Sequence, residues 1–272
     1  MPRKMALIVS IENYQNPIHN LPGIGRDVEA FVEVLGRFGI HNHESLKDKN
    51  ANQQGIVNGL KNLVSRAAEG DVLVFYFTGH GTRIPVALAG GEQRSLEAFV
   101  PWEGDTNRVI PDLWIKSFLQ ERLPAGVSFY GFYDSCHSGE MYKYLSFGAE
   151  GRVDKNWQVS KALFAKDLDD TGVSKLVSGL DFSKRFETET DLKNSVHFGG
   201  SEPENTALVK MIGGEKRSCF TYALDRGLNT GISIGEMERA VAGAQAVVTD
   251  HHAPVLATGR ANLNSPVFES LV

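Results

Sequence analysis

Residues 130–139 read YGFYDSCHSG, and residues 72–81, about fifty positions upstream, read VLVFYFTGHG. Each is a short apolar run, rich in β-branched and aromatic residues, that ends in small polar residues, which is typical of a buried parallel strand. The upstream run ends at His80 and the downstream run at Cys136. Because ligands and chemistry collect at the carboxyl edge of an open α/β sheet, the two runs predict an imidazole and a nucleophilic thiol at that edge.

The bulk properties limit the functions that this chain can have. Its 272 residues can form one large α/β domain or two small ones. A net charge of -5 without a basic stripe argues against a nucleic-acid partner. No apolar run approaches the roughly 18 to 20 residues of a membrane span, so no membrane partner is expected. Two cysteines cannot make a disulfide framework, which favours a reducing, cytoplasmic location.

Strand-like runs alternate with helical patterns in the first half of the chain, which predicts a mostly parallel sheet with helices on both faces. The expected strands cover residues 5–11, the run from 72, a short piece at 97–102 and the run from 130. The expected helices are residues 27–38 ending at Gly39, one around residues 56–64, and one around 113–119. Residues between the first two helices are left as strand or loop.

The pattern changes after residue 139. Residues 146–195 are charged and weakly periodic, as in a functional or flexible linker, and 196–200 predict a strand again. Helices are expected around 220–226 and after Ser233, since Ser233 and Glu236 match a capping box. Residues 254–258 predict a last strand.

The combination of FTGHG, DSCHSG and the later SCFTYAL resembles the caspase-like cysteine peptidases, and among them the metacaspases and orthocaspases (clan CD, family C14). The resemblance implies a caspase-like α/β fold whose mostly parallel central sheet has about six or more strands. It divides one domain into a large-subunit-like part (1–145), a linker (146–195) and a small-subunit-like part (196–272).

The resemblance also assigns the catalytic groups. Cys136 is the nucleophile, and His80 is the base that activates its thiol and then the acid that protonates the leaving amine. The backbone N–H groups of Gly81 and Cys136 stabilise the oxyanion. Glycines at 79 and 81 are expected to let the backbone turn sharply and approach the substrate.

An acidic S1 pocket follows from the same resemblance. Asp27, Asp134 and Thr78 match its lining positions, and Glu202 or Glu204 match loosely. Two carboxyl groups favour a cation and repel an acidic side chain, so the expected partners are proteins or peptides cleaved after Arg or Lys.

The resemblance also raises the questions of whether the protein binds calcium, whether it cleaves its own linker, and whether it is a monomer. Many metacaspases bind calcium through an aspartate-rich loop after GHG, but here that region offers only Glu92 and Glu97, so no cofactor and no metal site are expected. Self-cleavage after a basic linker residue is a second hypothesis, and a monomer is expected. The linker's candidate residues are Lys155, Lys161, Lys166, Lys175, Lys184 and Arg185.

Simpler interpretations stay open for several residues. His137 is an alternative base, Asp27 is also placed to interact with a helix dipole, and Asp134 is also consistent with a structural carboxylate. Cys219 is expected in the core. The remaining histidine pairs lack further ligands at metal-site spacing and are expected in solvated loops: His41, His43, His251 and His252.

Two other classes of function compete with the peptidase interpretation. A nucleotide-binding module is suggested by Gly23 and Gly25, but Val28 stands where a third glycine is needed. A catalytically silent scaffold or regulatory protein is the stronger rival, although such a protein has no chemical need for both His80 and Cys136.

Overall fold

The computed structural model describes residues 2–87, 93–135, 158–160, 176, 194–200, 207–249, 254–259 and 262–271. It has the α/β architecture that the sequence predicts, built on a six-stranded central sheet. The strands are β1 (Lys4–Ser10), β2 (Asn42–Lys47), β3 (Val72–Thr78), β4 (Gly81–Ala87), β5 (Gln93–Phe99), β6 (Ile110–Pro111), β7 (Ser128–Asp134), β8 (Gln158–Ser160), β9 (Ser195–Gly199), β10 (Leu208–Ile212), β11 (Glu215–Ser218) and β12 (Val255–Thr258). The helices are α1 (Ile24–Arg37), α2 (Gln53–Ser65), α3 (Asp112–Arg122), α4 (Cys219–Gly227) and α5 (Ile234–Ala246).

The central sheet has the order β12-β9-β7-β3-β1-β2, and every pairing in it is parallel except β12 with β9. The strands β3 and β7 lie at its middle and are buried over their whole length. The apolar parts of both runs quoted above therefore form adjacent central strands, whose carboxyl ends lie at the same edge of the sheet.

Alternate residues of the strands face two separate cores. On one face, Leu73, Phe75 and Phe129 pack with α2 and α3. On the other face, Val74 and Tyr76 pack with α1, α4 and α5. This coverage of both faces explains why the central strands are continuous apolar runs rather than alternating ones.

Two three-stranded sheets accompany the central one, and most of their residues lie outside the strands that the sequence predicts. One has the order β4-β5-β6, and the other has the order β11-β10-β8. Strand β8 lies inside the range predicted as a linker and pairs antiparallel with β10. Strands β6, β8 and β11 have only two to four residues, which is too few to show an apolar periodicity that distinguishes them from loops.

The helix-terminus signals of the sequence are confirmed. Gly39, just beyond α1, has φ +72°, which is a left-handed conformation that favours glycine. Ser233 and Glu236 form the predicted capping box at the start of α5.

Cys219 is 2% exposed and lies in the core, as expected. No helix in the described ranges has the length and apolar character needed to cross a membrane.

A buried histidine on β9 gives this fold a pH-sensitive element. The Nδ1 atom of His197 is 2.7 Å from the phenol oxygen of Tyr133, and its Nε2 atom is 3.2 Å from the Ser195 hydroxyl. Burial, with a smaller contribution from the positive charge of Lys116, lowers the pKa of His197 to about 3. The folded protein therefore keeps this ring neutral, whereas the unfolded chain protonates it below about pH 6.5.

We expect His197 to destabilise the fold progressively as the pH falls from about 6.5 toward 3, because only the unfolded state binds the proton. The slope is at most about 1.4 kcal/mol per pH unit. Urea unfolding of wild type and His197→Gln at pH 7, 6, 5 and 4 measures it, with exposed His41→Gln as control. His197→Gln should show a shallower pH dependence than the other two proteins, and identical slopes would contradict the assignment.

Candidate active site at the carboxyl edge of the sheet

The carboxyl ends of β3 and β7 lie side by side at one edge of the central sheet. Thr78, the last residue of β3, is the register partner of Asp134, the last residue of β7. The Gly79 amide donates to the Asp134 carbonyl at 3.4 Å, so the segments that follow β3 and β7 are still adjacent where they leave the sheet. His80 follows on the first segment. Cys136 follows Asp134 by two positions but lies outside the described residues.

His80 is 4% exposed, and its ring is oriented by the loop between β1 and α1. The Nε2 atom lies 2.8 Å from the backbone carbonyl oxygen of His19. A carbonyl only accepts hydrogen bonds, so Nε2 carries the proton and donates. In the neutral ring, Nδ1 is then the nitrogen that holds a lone pair for proton transfer.

The two acidic residues of the expected pocket are both fully buried and are bridged by one residue of the small-subunit-like part. The backbone N–H of Ser218 donates to both carboxyl oxygens of Asp27, at 2.9 and 3.1 Å. The Ser218 hydroxyl donates to Oδ1 of Asp134 at 2.7 Å. The fold therefore brings together two carboxyl groups that are 107 positions apart in the chain.

A set of hydroxyl groups surrounds the second oxygen of Asp134. Thr221 donates to Oδ2 at 2.7 Å, and Thr78 and Tyr76 approach the same oxygen at 3.3 and 3.4 Å. The Tyr76 and Thr221 oxygens are 2.6 Å apart. Because the single proton of Thr221 is donated to Asp134, Tyr76 is the donor in that short bond. Burial and the nearby Asp134 and Asp27 raise the pKa of Tyr76, which keeps its proton in place.

The structure thus brings Asp27, Asp134 and Thr78 together around Ser218 and adds partners that the sequence did not predict, while the assignment of these three residues to an S1 pocket stays a prediction. Ser218 and Thr221 lie within the SCFTYAL segment, for which the sequence predicts a helix but not a source of hydroxyl donors. The sequence did carry a signal for these donors, because one hydroxyl residue precedes the apolar helical segment and another lies within it. Buried hydroxyl groups need hydrogen-bond partners. The carbonyl of His19 had no sequence signal, because every residue carries one.

The glycines of the GHG box have a different role from the sharp turn that we expected. Neither Gly79 nor Gly81 has a positive φ, and Gly81 begins the extended strand β4 opposite Phe99. A Cβ atom at Gly79 would lie 2.9 Å from the Tyr14 phenol oxygen. Glycine at 79 is therefore required by the close approach of Tyr14, not by backbone conformation.

The start of α1 argues against the nucleotide-binding alternative. The Glu12 side chain accepts hydrogen bonds from the amides of Gly23 and Gly25, at 3.0 and 3.2 Å. A phosphate at this helix terminus would need those same N–H groups and would meet a carboxylate. Gly23 instead serves packing, since a Cβ atom there would lie 2.5 Å from the Lys216 carbonyl oxygen.

No group of three or more His, Cys, Asp or Glu side chains in the described parts of the chain is arranged to hold a metal ion. Glu97, one of the two glutamates after the GHG box, forms an ion pair with Arg83 at 3.3 Å.

His41 and His43 are exposed, but His43 lies on edge strand β2 rather than in a loop. The other residues proposed from sequence lie outside the described residues: Glu92, His137, Lys155, Lys161, Lys166, Lys175, Lys184, Arg185, Glu202, Glu204, His251 and His252.

Comparison with solved structures places this architecture among the caspase-like folds. Protein GSU0716 from Geobacter sulfurreducens superposes over 100% of both chains with a TM-score of 0.68 at 17% sequence identity. Caspase-1 from Spodoptera frugiperda has a TM-score of 0.58 at 15% identity, covering 95% of this chain and 89% of that one. At these identities the likeness concerns the fold alone.

Sequence comparison identifies the family. Residues 4–144 match the family model of the metacaspase, peptidase C14 domain, and the chain belongs to that family. It is 34% identical over 147 residues to Metacaspase-9 of Arabidopsis thaliana, which covers 50% of this chain and 44% of that protein. It is 28% identical over 239 residues to Metacaspase-5 of Trypanosoma brucei brucei, covering 84% of this chain and 45% of that protein. The alignments thus span less than half the length of these two relatives.

The hydroxyl cluster at Asp134 predicts a large difference between two substitutions of Thr221. Thr221→Val keeps the shape but removes the acceptor of the short Tyr76 hydrogen bond and the closest donor to Oδ2 of Asp134, so it should cost about 1–3 kcal/mol of unfolding free energy. Thr221→Ser keeps the hydroxyl and should retain most of that stability. Urea unfolding at pH 7 compares them. Equal stability of the two variants would show that the hydroxyl does not hold the cluster together.

Proposed function

We propose that this chain is a cysteine endopeptidase that hydrolyses peptide bonds after Arg or Lys. Family membership supports the reaction class. The observation that carries the specificity is the buried pair Asp27 and Asp134, held by Ser218 beside the strand end that leads to Cys136. The proposed partners are proteins or peptides with a basic residue at the cleavage site.

In the proposed mechanism, His80 and Cys136 act as a catalytic dyad. Nδ1 of His80 takes the thiol proton as the sulfur attacks the substrate carbonyl carbon. The resulting imidazolium is stabilised by the His19 carbonyl, which accepts from Nε2 at 2.8 Å. The backbone N–H groups of Gly81 and Cys136 bind the oxyanion. His80 then gives its proton to the leaving amine, and water hydrolyses the thioester with His80 again as base.

The proposed S1 pocket selects by charge. A guanidinium or ammonium group forms charge-assisted hydrogen bonds with the carboxyl groups of Asp27 and Asp134, with Thr78 at the pocket wall. A substrate carboxylate would be repelled by both acidic residues and would lose its water on entry. The preference for Arg and Lys over Asp therefore follows from the pocket's chemistry.

Hydrolysis of matched fluorogenic peptides ending in Arg, Lys or Asp tests the proposal. We expect wild type to cleave after Arg and Lys but not Asp, and Cys136→Ala and His80→Ala to lose nearly all activity. Asp27→Asn should raise KM for basic peptides, because it removes a charge from the pocket. Cys219→Ala is the control and should remain active, since this thiol is buried in the core. A wild-type protein that neither cleaves these peptides nor reacts at Cys136 with a basic peptidyl electrophile would favour the silent scaffold.

We further propose that activity does not require calcium. The support is the scarcity of acidic residues after the GHG box and the engagement of Glu97 with Arg83. Hydrolysis rates in excess chelator and in added calcium should agree within about twofold, because the region after the GHG box offers only two glutamates and Glu97 is paired with Arg83. Loss of activity in chelator that calcium restores would overturn this expectation. A monomeric state, self-cleavage in the linker and a cytoplasmic location stay predictions.

A further inference from the structure

An interruption of the β4–β5 ladder lies next to His80. Gly81 pairs with Phe99, so continuation of that register places His80 opposite Val100. The Val100 amide donates to the His80 carbonyl at 3.0 Å. In a regular antiparallel ladder, such a pair exchanges two direct N–H···O=C bonds. Here the His80 N–H instead donates to the phenol oxygen of Tyr14 at 2.6 Å, and that hydroxyl donates to the Val100 carbonyl at 3.4 Å.

The Tyr14 hydroxyl therefore occupies a place inside the ladder, between the two strands. The side chain is 4% exposed, and its burial raises the pKa of the phenol, so the group remains protonated and donates while it accepts. Its ring also contacts the His80 ring, with centroids 5.0 Å apart. The absence of a Cβ atom at Gly79 leaves the space that the phenol oxygen needs.

The loop that carries Tyr14 holds His80 at two points. The Tyr14 oxygen accepts from the His80 backbone, and the His19 carbonyl accepts from the His80 ring. The base of this loop is fixed in turn, because the Asp48 carboxylate accepts from the amides of Glu12 and Asn13 at 2.8 and 2.9 Å. The position of His80 thus depends on a neighbouring loop rather than only on its own strand.

We propose that Tyr14 is a positioning residue for the catalytic base, through the hydroxyl that it inserts between His80 and Val100. The inference rests on the proposed peptidase activity. Without the phenol oxygen, the His80 N–H either stays unpaired or closes toward the Val100 carbonyl. Both changes move or loosen the imidazole relative to the His19 carbonyl and to the reacting thiol. A displacement of about 1 Å at a catalytic group is enough to reduce the rate by about a hundredfold.

Tyr14→Phe tests the proposal, because it removes one oxygen and keeps the ring. We expect kcat for the basic peptides to fall by about ten- to a hundredfold while KM changes by less than about twofold. Tyr130→Phe is the matched control. It also removes a buried phenol bonded to backbone, since Tyr130 donates to the Glu269 carbonyl at 2.8 Å, but it leaves His80 untouched. We expect similar losses of unfolding free energy in both variants and a loss of kcat in Tyr14→Phe alone.

A second readout does not depend on hydrolysis. In protein labelled with ¹⁵N-histidine, the Nε2–H of His80 should give a protected imidazole resonance, assigned by its absence in His80→Gln. Tyr14→Phe should broaden or shift this resonance and speed its exchange with water, and Tyr130→Phe should leave it unchanged. If the wild type cleaves no peptide, the proposed activity fails, yet this spectrum still decides whether Tyr14 positions His80. An unaltered His80 resonance in Tyr14→Phe, or unaltered kcat in an active protein, would overturn the proposal.

Discussion

The need of the buried Asp134 carboxyl group for hydrogen-bond donors organises much of this structure. Burying such a group without donors costs several kcal/mol, so the fold has to deliver them. Thr78 comes from the neighbouring central strand, and Ser218 and Thr221 come from the far end of the chain, with Tyr76 donating to Thr221 in turn. The proposed substrate pocket is therefore also a junction between the two parts of the domain. A change that weakens the pocket is expected to weaken the packing of α4 against the sheet.

A second dependence runs through the loop between β1 and α1. Its Glu12 side chain caps the first turn of α1, the helix that carries Asp27. Its Tyr14 and His19 contact the backbone and the ring of His80. One loop thus fixes both the proposed base and one wall of the proposed pocket. Residues of this loop that take no part in the chemical step therefore tolerate few substitutions. Glycine is needed at position 79 for the same reason, because a larger residue would meet the Tyr14 phenol oxygen.

The sequence predicted the central architecture because buried parallel strands leave a continuous apolar signal, as in the runs before His80 and Cys136. It also predicted that Thr78, Asp27 and Asp134 belong together, through a family resemblance rather than through pattern. It did not predict the flanking hairpins, although Gly213 and Gly214, with φ +62° and +89°, are a recognisable turn signal between β10 and β11. The contacts of Tyr14 and His19 depend on backbone groups distant in sequence, and no local pattern encodes those.

A crystal structure of the protein inactivated by a peptidyl-arginine chloromethyl ketone tests the central claim most directly, because it reports the nucleophile and the pocket together. The account predicts a covalent bond between the Cys136 sulfur and the inhibitor methylene carbon. It also predicts an arginine guanidinium within hydrogen-bond distance of both Asp27 and Asp134. Attachment at another residue, or an arginine side chain that lies away from both carboxyl groups, would contradict it.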